Sequence, residues 1–486
     1  MKKLRIFKML CLVVMMLWLC NARAQNRKEK DLLGEKEIPA NAYYGVQTAR
    51  ALENFAISGM PTKFYPDYVK AFAIVKLAAA RANAENGRLS QEKLAAIEKA
   101  CKAVMDGQYH DQFLVDLYQG GAGTSANMNT NEVLANIALE LSGHKKGDYH
   151  YIEPHDDLNM GQSTNDTYPT TIKVALLLHN DKLITELEAL SQSFHKKGDA
   201  FKSLLKMGRT EGQDAVPMTL GQEFHAFGNQ LDAEIKSLRA SETYLCEQNM
   251  GATAIGTGIT ASPGYAEKVA VHLARITGKP FVMSSDLIAA TSSMQSYVMY
   301  SSALKSLAIA LSKISSDLIF LTSGPRTGIF EINLPALQPG SSIMPGKVNP
   351  VMPEVMNEVC FKVMGNDVTV SIASHSGLLQ LNAYEPVVAV ALMESQGLLF
   401  KCLPLFRKNC VDGITPNEKV LKRNIEQSVG IVTALNPVLG YEKTTELAKE
   451  ALQTGKGILE LIREKKLLTE DQIKKVMDPA AMTQLK

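Results

Sequence analysis

The sequence predicts a mainly α protein organised around a central bundle of long helices. Three observations carry that reading. Apolar residues recur at helical spacing over three stretches: Ile172, Leu176, Leu183, Leu187, Leu190 and Phe194; Leu220, Phe224, Phe227, Leu231, Ile235 and Leu238; and Met294, Leu304, Leu307, Leu311, Ile314 and Leu318. The third of these, Asp286 to Thr322, contains neither proline nor glycine. Helices of this length exceed the usual three or four turns and need partners for their apolar faces. A bundle supplies them most simply, and association of several chains would bury more. Ala303, Ala308, Ala310 and Ser312 would let helices approach closely.

Length and charge set the outer bounds. At 486 residues the chain has room for more than one domain. A formal charge of +2 gives no strong field for nucleic acid or a membrane surface, and no nucleic-acid-binding motif appears. Seven cysteines include Cys11 and Cys20 near the start. The other five, Cys101, Cys246, Cys360, Cys402 and Cys410, are scattered, which reads as small buried apolar residues rather than a disulfide framework. No CxxC or HxxxH pair suggests a metal site, so no metal is expected.

Taken in order, the chain opens with Lys2, Lys3, Arg5 and Lys8 ahead of an apolar run from Met9 to Cys20, then Ala22-Arg23-Ala24. That is the three-part pattern of a secretory leader over residues 1–24, and the run is short for a bilayer span. It predicts a periplasmic or exported protein, with a cytoplasmic one as the alternative, and no stable membrane span in the mature chain. Lys30 to Phe55 reads as loops and short strands. Pro66 suits the first turn of a helix, and Ser90 caps the next, on which Leu94, Ile97, Cys101, Val104 and Met105 are core positions. Gly120-Gly121-Ala122-Gly123 leads through Thr124 and Asn127 to helical residues from Glu132. Gly161 to Asp166 precedes the first long helix, which Ser163 or Thr164 could cap. Gly251 to Gly258 reads as a structural turn. A helix begins at Glu354, the last bundle helix covers about Val387 to Phe406, and Thr415-Pro416-Asn417 marks a boundary.

The segment Gly340 to Pro350 carries the most chemistry. Two glycines and two prolines shape a loop that aims N–H groups, Ser341, Lys347 and Asn349 at one small anion. A phosphate-binding P-loop is excluded, because five residues separate its glycines and Val348 follows the lysine.

This loop resembles the signature of the fumarase/aspartase superfamily, whose members eliminate ammonia, water or an amine to leave fumarate. Leu33–Phe55, Gly120–Asn129 and Gly161–Asp166 agree with it in order, and the resemblance runs from about Lys30 to the end. It implies a three-domain fold, with an N-terminal domain over 25–164, the bundle over 165–414 and a small helical C-terminal domain over 415–486. It further implies reversible deamination of L-aspartate in a homotetramer, with a small-molecule substrate and no cofactor. Ser341 would be the general base that abstracts a proton next to the β-carboxylate. Thr124, Asn127, Ser163, Thr164, Asn165, Thr210, Glu211, Ser342, Lys347 and Asn349 would contact substrate. The chain departs from the pattern at Glu211 and Gly212, where relatives carry His or Gln and then an apolar residue. The family's histidine there faces a glutamate, here Glu354, so two carboxylates would meet. The alternatives are a class II fumarate hydratase acting on malate and a non-catalytic lyase-fold structural protein.

Overall fold

The computed structural model describes residues 26–483, so the leader, with Trp18, Cys20 and Ala22-Arg23-Ala24, lies outside the described residues. In chain order a hairpin β1 (Asn26–Asp31)–β2 (Gly34–Pro39) is followed by helices α1 (Val46–Asn54), α2 (Pro66–Glu85), α3 (Gln91–Met105), α4 (Thr124–Leu141) and α5 (Thr164–Ala200). A second hairpin, β3 (Leu205–Thr210)–β4 (Gln213–Thr219), leads to α6 (Leu220–Cys246), α7 (Tyr265–Thr277), α8 (Leu287–Ser292) and α9 (Gln295–Leu321). Then come α10 (Val351–His375) and α11 (Glu385–Asn409), and five short helices from Glu418 to Val476. The fold is mostly helical, and each sheet among the described residues has two strands.

The apolar residues that defined the three long patterns are all buried, from Ile172 through Leu318, as a bundle requires. Pro66 takes the first helical position of α2, and Ser90 accepts the Lys93 N–H at the start of α3. Cys101, Cys246, Cys360, Cys402 and Cys410 are buried free thiols. One stretch among the described residues, Glu385–Gly413, is long and apolar enough to cross a membrane by composition, with mean hydropathy 1.4. Two-thirds of its apolar window (67%) is buried within the chain, as in a core helix.

Three local expectations are corrected. The Lys30–Phe55 stretch holds a helix besides its strands, because the buried Glu132 carboxylate caps α1 from far along the chain. It accepts the N–H groups of Gly45 (2.7 Å), Gln47 (2.8 Å) and Thr48 (3.2 Å) and the Thr48 hydroxyl (2.6 Å). Helix α4 begins at Thr124 rather than Glu132. Its amide-rich first turns are poor helix formers in isolation, but tertiary hydrogen bonds such as Ala126 N–H to Gln119 Oε1 (2.9 Å) hold them. The stretch from Asp286 to Thr322 breaks at Ser293-Met294: Ser293 is extended, and its hydroxyl accepts the Gln295 N–H (3.2 Å) to start α9 afresh.

By its internal contacts the chain divides into two compact units. The first comprises residues up to His179, Thr243–Val298 and Thr369–Met393. Its core packs α2, α3 and α4 through Val69, Ala73, Ile97, Val104, Phe113 and Leu134. The second comprises Asn180–Glu242, Met299–Val368 and Glu394–Lys486. Polar bonds tie its long helices together: Tyr300 Oη donates to Asn180 Oδ1 (2.7 Å) and Ser301 Oγ to Asp367 Oδ1 (2.7 Å), both buried, and Ser306 Oγ to Glu234 Oε1 (3.0 Å), half-buried. A separate core joins Met207 of β3 to Ile425, Leu435, Leu447, Leu459 and Ile473 of the last helices.

Candidate active site

In the first unit the starts of α4 and α5 are brought together by a glycine. Gly123 sits before α4 with φ of 90°, and a Cβ there would lie 2.3 Å from the Tyr168 ring of α5. Only glycine allows both that backbone angle and that approach. As a result Asn127, on the second turn of α4, donates its Nδ2 to Thr164 Oγ1 at 3.1 Å. Thr124 is exposed one turn earlier, with its hydroxyl given to Gly121 O (2.7 Å).

Ser163 does cap α5: its Oγ accepts the Asn165 N–H (3.2 Å), while Asp166 accepts the Ser163 N–H in return (3.0 Å). The other Asp166 oxygen accepts the N–H groups of Gly251 (3.1 Å) and Thr253 (2.9 Å), and Asn165 Nδ2 donates to Ala254 O (2.7 Å). The Gly251–Gly258 turn is thereby fastened to the helix start. Burial pushes the Asp166 carboxyl up to about 6, with those N–H donors opposing the shift. Beneath lies Lys76 of α2, 1% exposed, donating to Asn159 Oδ1 (3.1 Å) and Gln162 Oε1 (2.9 Å). Burial lowers its ammonium to about 7 against the pull of Asp166.

Sequence reasoning passed over Lys76, Asn159 and Asp166. The available signal was a single lysine inside the apolar run Ala71–Ala80. His155 meets Glu153 (3.2 Å) and Gln47 (2.8 Å), so its ring is engaged away from the motif hydroxyls.

In the second unit Thr210 and Glu211 are exposed at the tip of the β3–β4 hairpin. Its two-residue turn, Glu211-Gly212, has φ of 54° and 78° at those positions, both left-handed, as this turn demands. A glutamate at the first position is strained, because its Cβ crowds the carbonyl. Replacing Glu211 with asparagine is expected to raise unfolding free energy by about 0.5–1 kcal/mol. Chemical denaturation checks it, and unchanged or lower stability refutes it. The hairpin is rooted in buried charge. Arg209 lies 2.8 Å from Glu331, and Lys206 lies 2.7 Å from Glu223 and 3.1 Å from Glu331. Burial alone would raise the Glu331 carboxyl, but the Arg209 and Lys206 cations outweigh it and hold it below the usual range.

The Gly340–Pro350 loop is mostly exposed and is closed on itself. Gly340 N–H donates to Lys347 O (2.7 Å), and Asn349 Nδ2 donates to Gly340 O (3.0 Å). A Cβ on Gly340 would lie 2.8 Å from both Asn349 N and Lys347 O, so the pinch requires glycine. Ser341 is half-buried, and its Oγ accepts the N–H groups of Ile343 (3.2 Å) and Met344 (3.1 Å). Two donors aimed at one hydroxyl oxygen favour its ionised form. Ser342 and Lys347 are exposed beside it, and Glu354 is exposed on the first turn of α10. That helix starts at Val351, three residues before the expected point, with Pro353 in its first turn, where a missing N–H costs nothing.

Residues 34–365 match the family model described as a lyase, and residues 431–484 match one described as the fumarase C C-terminus. The chain is 54% identical over 460 residues to an aspartate ammonia-lyase of Pseudomonas aeruginosa, covering 94% of this chain and 97% of that one. It is 47% identical over 463 residues to an aspartate ammonia-lyase of Bacillus subtilis, covering 95% and 97%. Among solved structures, a fumarate lyase:delta crystallin from Brucella melitensis superposes with a TM-score of 0.92 at 47% identity, covering 95% of this chain and 100% of that one. The class II fumarase of Schistosoma mansoni gives 0.87 at 34% identity, covering 94% and 99%.

Proposed function

This chain belongs to the fumarase/aspartase family of lyases, and from that premise we propose that it is a carbon–nitrogen lyase converting L-aspartate reversibly to fumarate and ammonia. The observation that carries the mechanism is the pair of N–H groups on Ser341 Oγ. The ionised Ser341 takes a proton from the carbon beside the β-carboxylate. The electron pair left behind is delocalised into that carboxylate as a dianion, then forms the carbon–carbon double bond as the carbon–nitrogen bond breaks and ammonia leaves. So weak a carbon acid requires donors preorganised around the dianion.

The roles follow from side-chain chemistry. Thr124, Ser163, Thr164, Ser342 and glycine-rich backbone N–H groups donate to the carboxylate that gains charge. Asn165 stands with the amino group, and Asn127 is a further substrate contact. Lys347, Asn349 and Thr210 clamp the other carboxylate, which fixes the reacting atoms in line. Glu211 replaces the histidine or glutamine of relatives; whether paired with Glu354 through a shared proton or turned to the substrate ammonium, a carboxyl here favours an amino acid over a hydroxy acid. Ammonia leaves readily from an ammonium, whereas water needs an acid. This favours the deaminase over the fumarase reading.

The decisive assay supplies purified protein with L-aspartate and L-malate separately and follows fumarate by its ultraviolet absorbance. Release from aspartate alone is expected; release from malate alone refutes the proposal, and none from either favours a structural relative. We propose further a homotetramer, tested by sedimentation, and export through the leader. Since Trp18 is the only tryptophan, tryptophan fluorescence in protein purified from its native source would refute leader cleavage.

A further inference from the structure

An ammonium donates hydrogen bonds and accepts none, so any amide beside it must turn its oxygen inward. As an ammonium, Lys76 sets that choice for two amides at once, Asn159 and Gln162, whose NH2 groups turn the other way to backbone carbonyls, Asn159 Nδ2 to Gln162 O (3.2 Å) and Gln162 Nε2 to Leu158 O (3.0 Å). The orientation then propagates. With its oxygen fixed toward Lys76, Asn159 also accepts the Nδ2 groups of Asn127 (3.1 Å) and Asn131 (3.1 Å). Asn127 has two amide protons, and the second goes to Thr164 Oγ1 (3.1 Å). Its donors are therefore spent within the protein. Its Oδ1 is left buried and, among the described residues, without a hydrogen-bond donor. A buried amide oxygen without a partner is costly, and a hydrogen-bond donor such as an ammonium would satisfy it.

We propose that Lys76 is a positioning residue for the deamination site: through Asn159 it fixes the Asn127 carboxamide so that an oxygen, and thus an acceptor, faces the amino group of the substrate. Lys76 acts at a distance of two amides. It never touches the substrate, and it sets the polarity of a group that does. Without it, only the bond from Asn159 Nδ2 to Gln162 O (3.2 Å) opposes rotation of the Asn159 NH2 inward. Asn127 then loses its reason to face one way, and its own NH2 would confront the substrate ammonium, a donor against a donor. Selectivity for an amino dicarboxylate over one lacking the amino group follows from this arrangement, because only the former fills the Asn127 oxygen.

The inference rests on the aspartate reading above, and the test separates the two. Steady-state kinetics on L-aspartate are measured with succinate, a dicarboxylate without an amino group, as competitive inhibitor. In Lys76→Met, of similar length and without donors, KM for L-aspartate is expected to rise about tenfold while the inhibition constant of succinate stays within about twofold. Asn159→Leu is expected to reproduce that split. Asn159→Asp keeps acceptor oxygens toward Lys76 and Asn127 but loses the Nδ2 bond to Gln162 O (3.2 Å), and its KM for L-aspartate should stay well below that of Asn159→Leu. A parallel rise of both constants in folded Lys76→Met protein means general loss of the site and overturns the proposal, as does no change in either. Should Lys76→Met not fold, the contrast between Asn159→Leu and Asn159→Asp decides, and equal behaviour of those two overturns it. Wild-type protein that releases no fumarate from L-aspartate overturns the aspartate reading and this inference with it.

Discussion

Replacing Ser341 with alanine is expected to cut fumarate release from L-aspartate by about 10²–10⁴-fold, the range for loss of a general base. The reason is specific to this hydroxyl. Its oxygen accepts the Ile343 and Met344 N–H groups, so negative charge on it would be met by two donors already in place. The loop itself is held by the Gly340–Lys347 and Asn349–Gly340 hydrogen bonds, which alanine leaves intact. The substitution should therefore leave KM for aspartate near its wild-type value and shift the melting temperature little, a pattern that marks an interaction made only in the transition state. Retention of more than a tenth of wild-type kcat would remove Ser341 from the mechanism.

Changing Lys206 to methionine is expected to lower the unfolding free energy by about 3–5 kcal/mol, the cost of breaking a buried ion pair from one side. Lys206 is 2% exposed and lies between Glu223 and Glu331, the latter fully buried. Without the ammonium, two carboxylates lose their shared partner, with Arg209 as the remaining cation near Glu331. The pH dependence has a definite sign. Because the Glu331 carboxyl is held below its ordinary 4.5, its stabilisation is present above that value and is lost as pH falls through the lower folded-state pKa. In the variant, acid protonates the unpaired carboxylates and relieves their repulsion. The deficit should therefore shrink between neutral pH and about pH 4.5. Denaturant titrations of both proteins at the two pH values test this; a deficit under about 1 kcal/mol, or one independent of pH, contradicts it. The same charges root the hairpin that displays Thr210 and Glu211, so activity should fall with stability.

The helical framework was open to reading because burial follows periodicity. Ile172 to Phe194 and Leu220 to Leu238 lie inside as their spacing demands. Local punctuation was equally direct at Pro66, at Ser90 and at Ser163, where one side chain and its own neighbours make the cap. The chemistry of the Gly340–Pro350 loop was also visible in its residue types. What was hidden depends on partners remote in sequence. The helix after Gly45 owes its cap to Glu132, and the amide-rich start of α4 owes its helicity to tertiary bonds that no local propensity records.

By itself, then, the order of residues determined the long apolar faces, the caps built from adjacent positions and the polar groups available to a site. Periodicity and side-chain chemistry are properties of the chain alone. Tertiary structure decided which charges are buried and which way each amide faces. Lys76 lies in an apolar helical run and Asp166 at the end of a motif, and neither position by itself gives the residue's burial or its partners. Removed from water among oriented amides and N–H groups, they acquire shifted proton affinities and fix the hydrogen-bond directions around them. Desolvation and hydrogen-bond direction are set by three-dimensional neighbours, which the one-dimensional order does not contain.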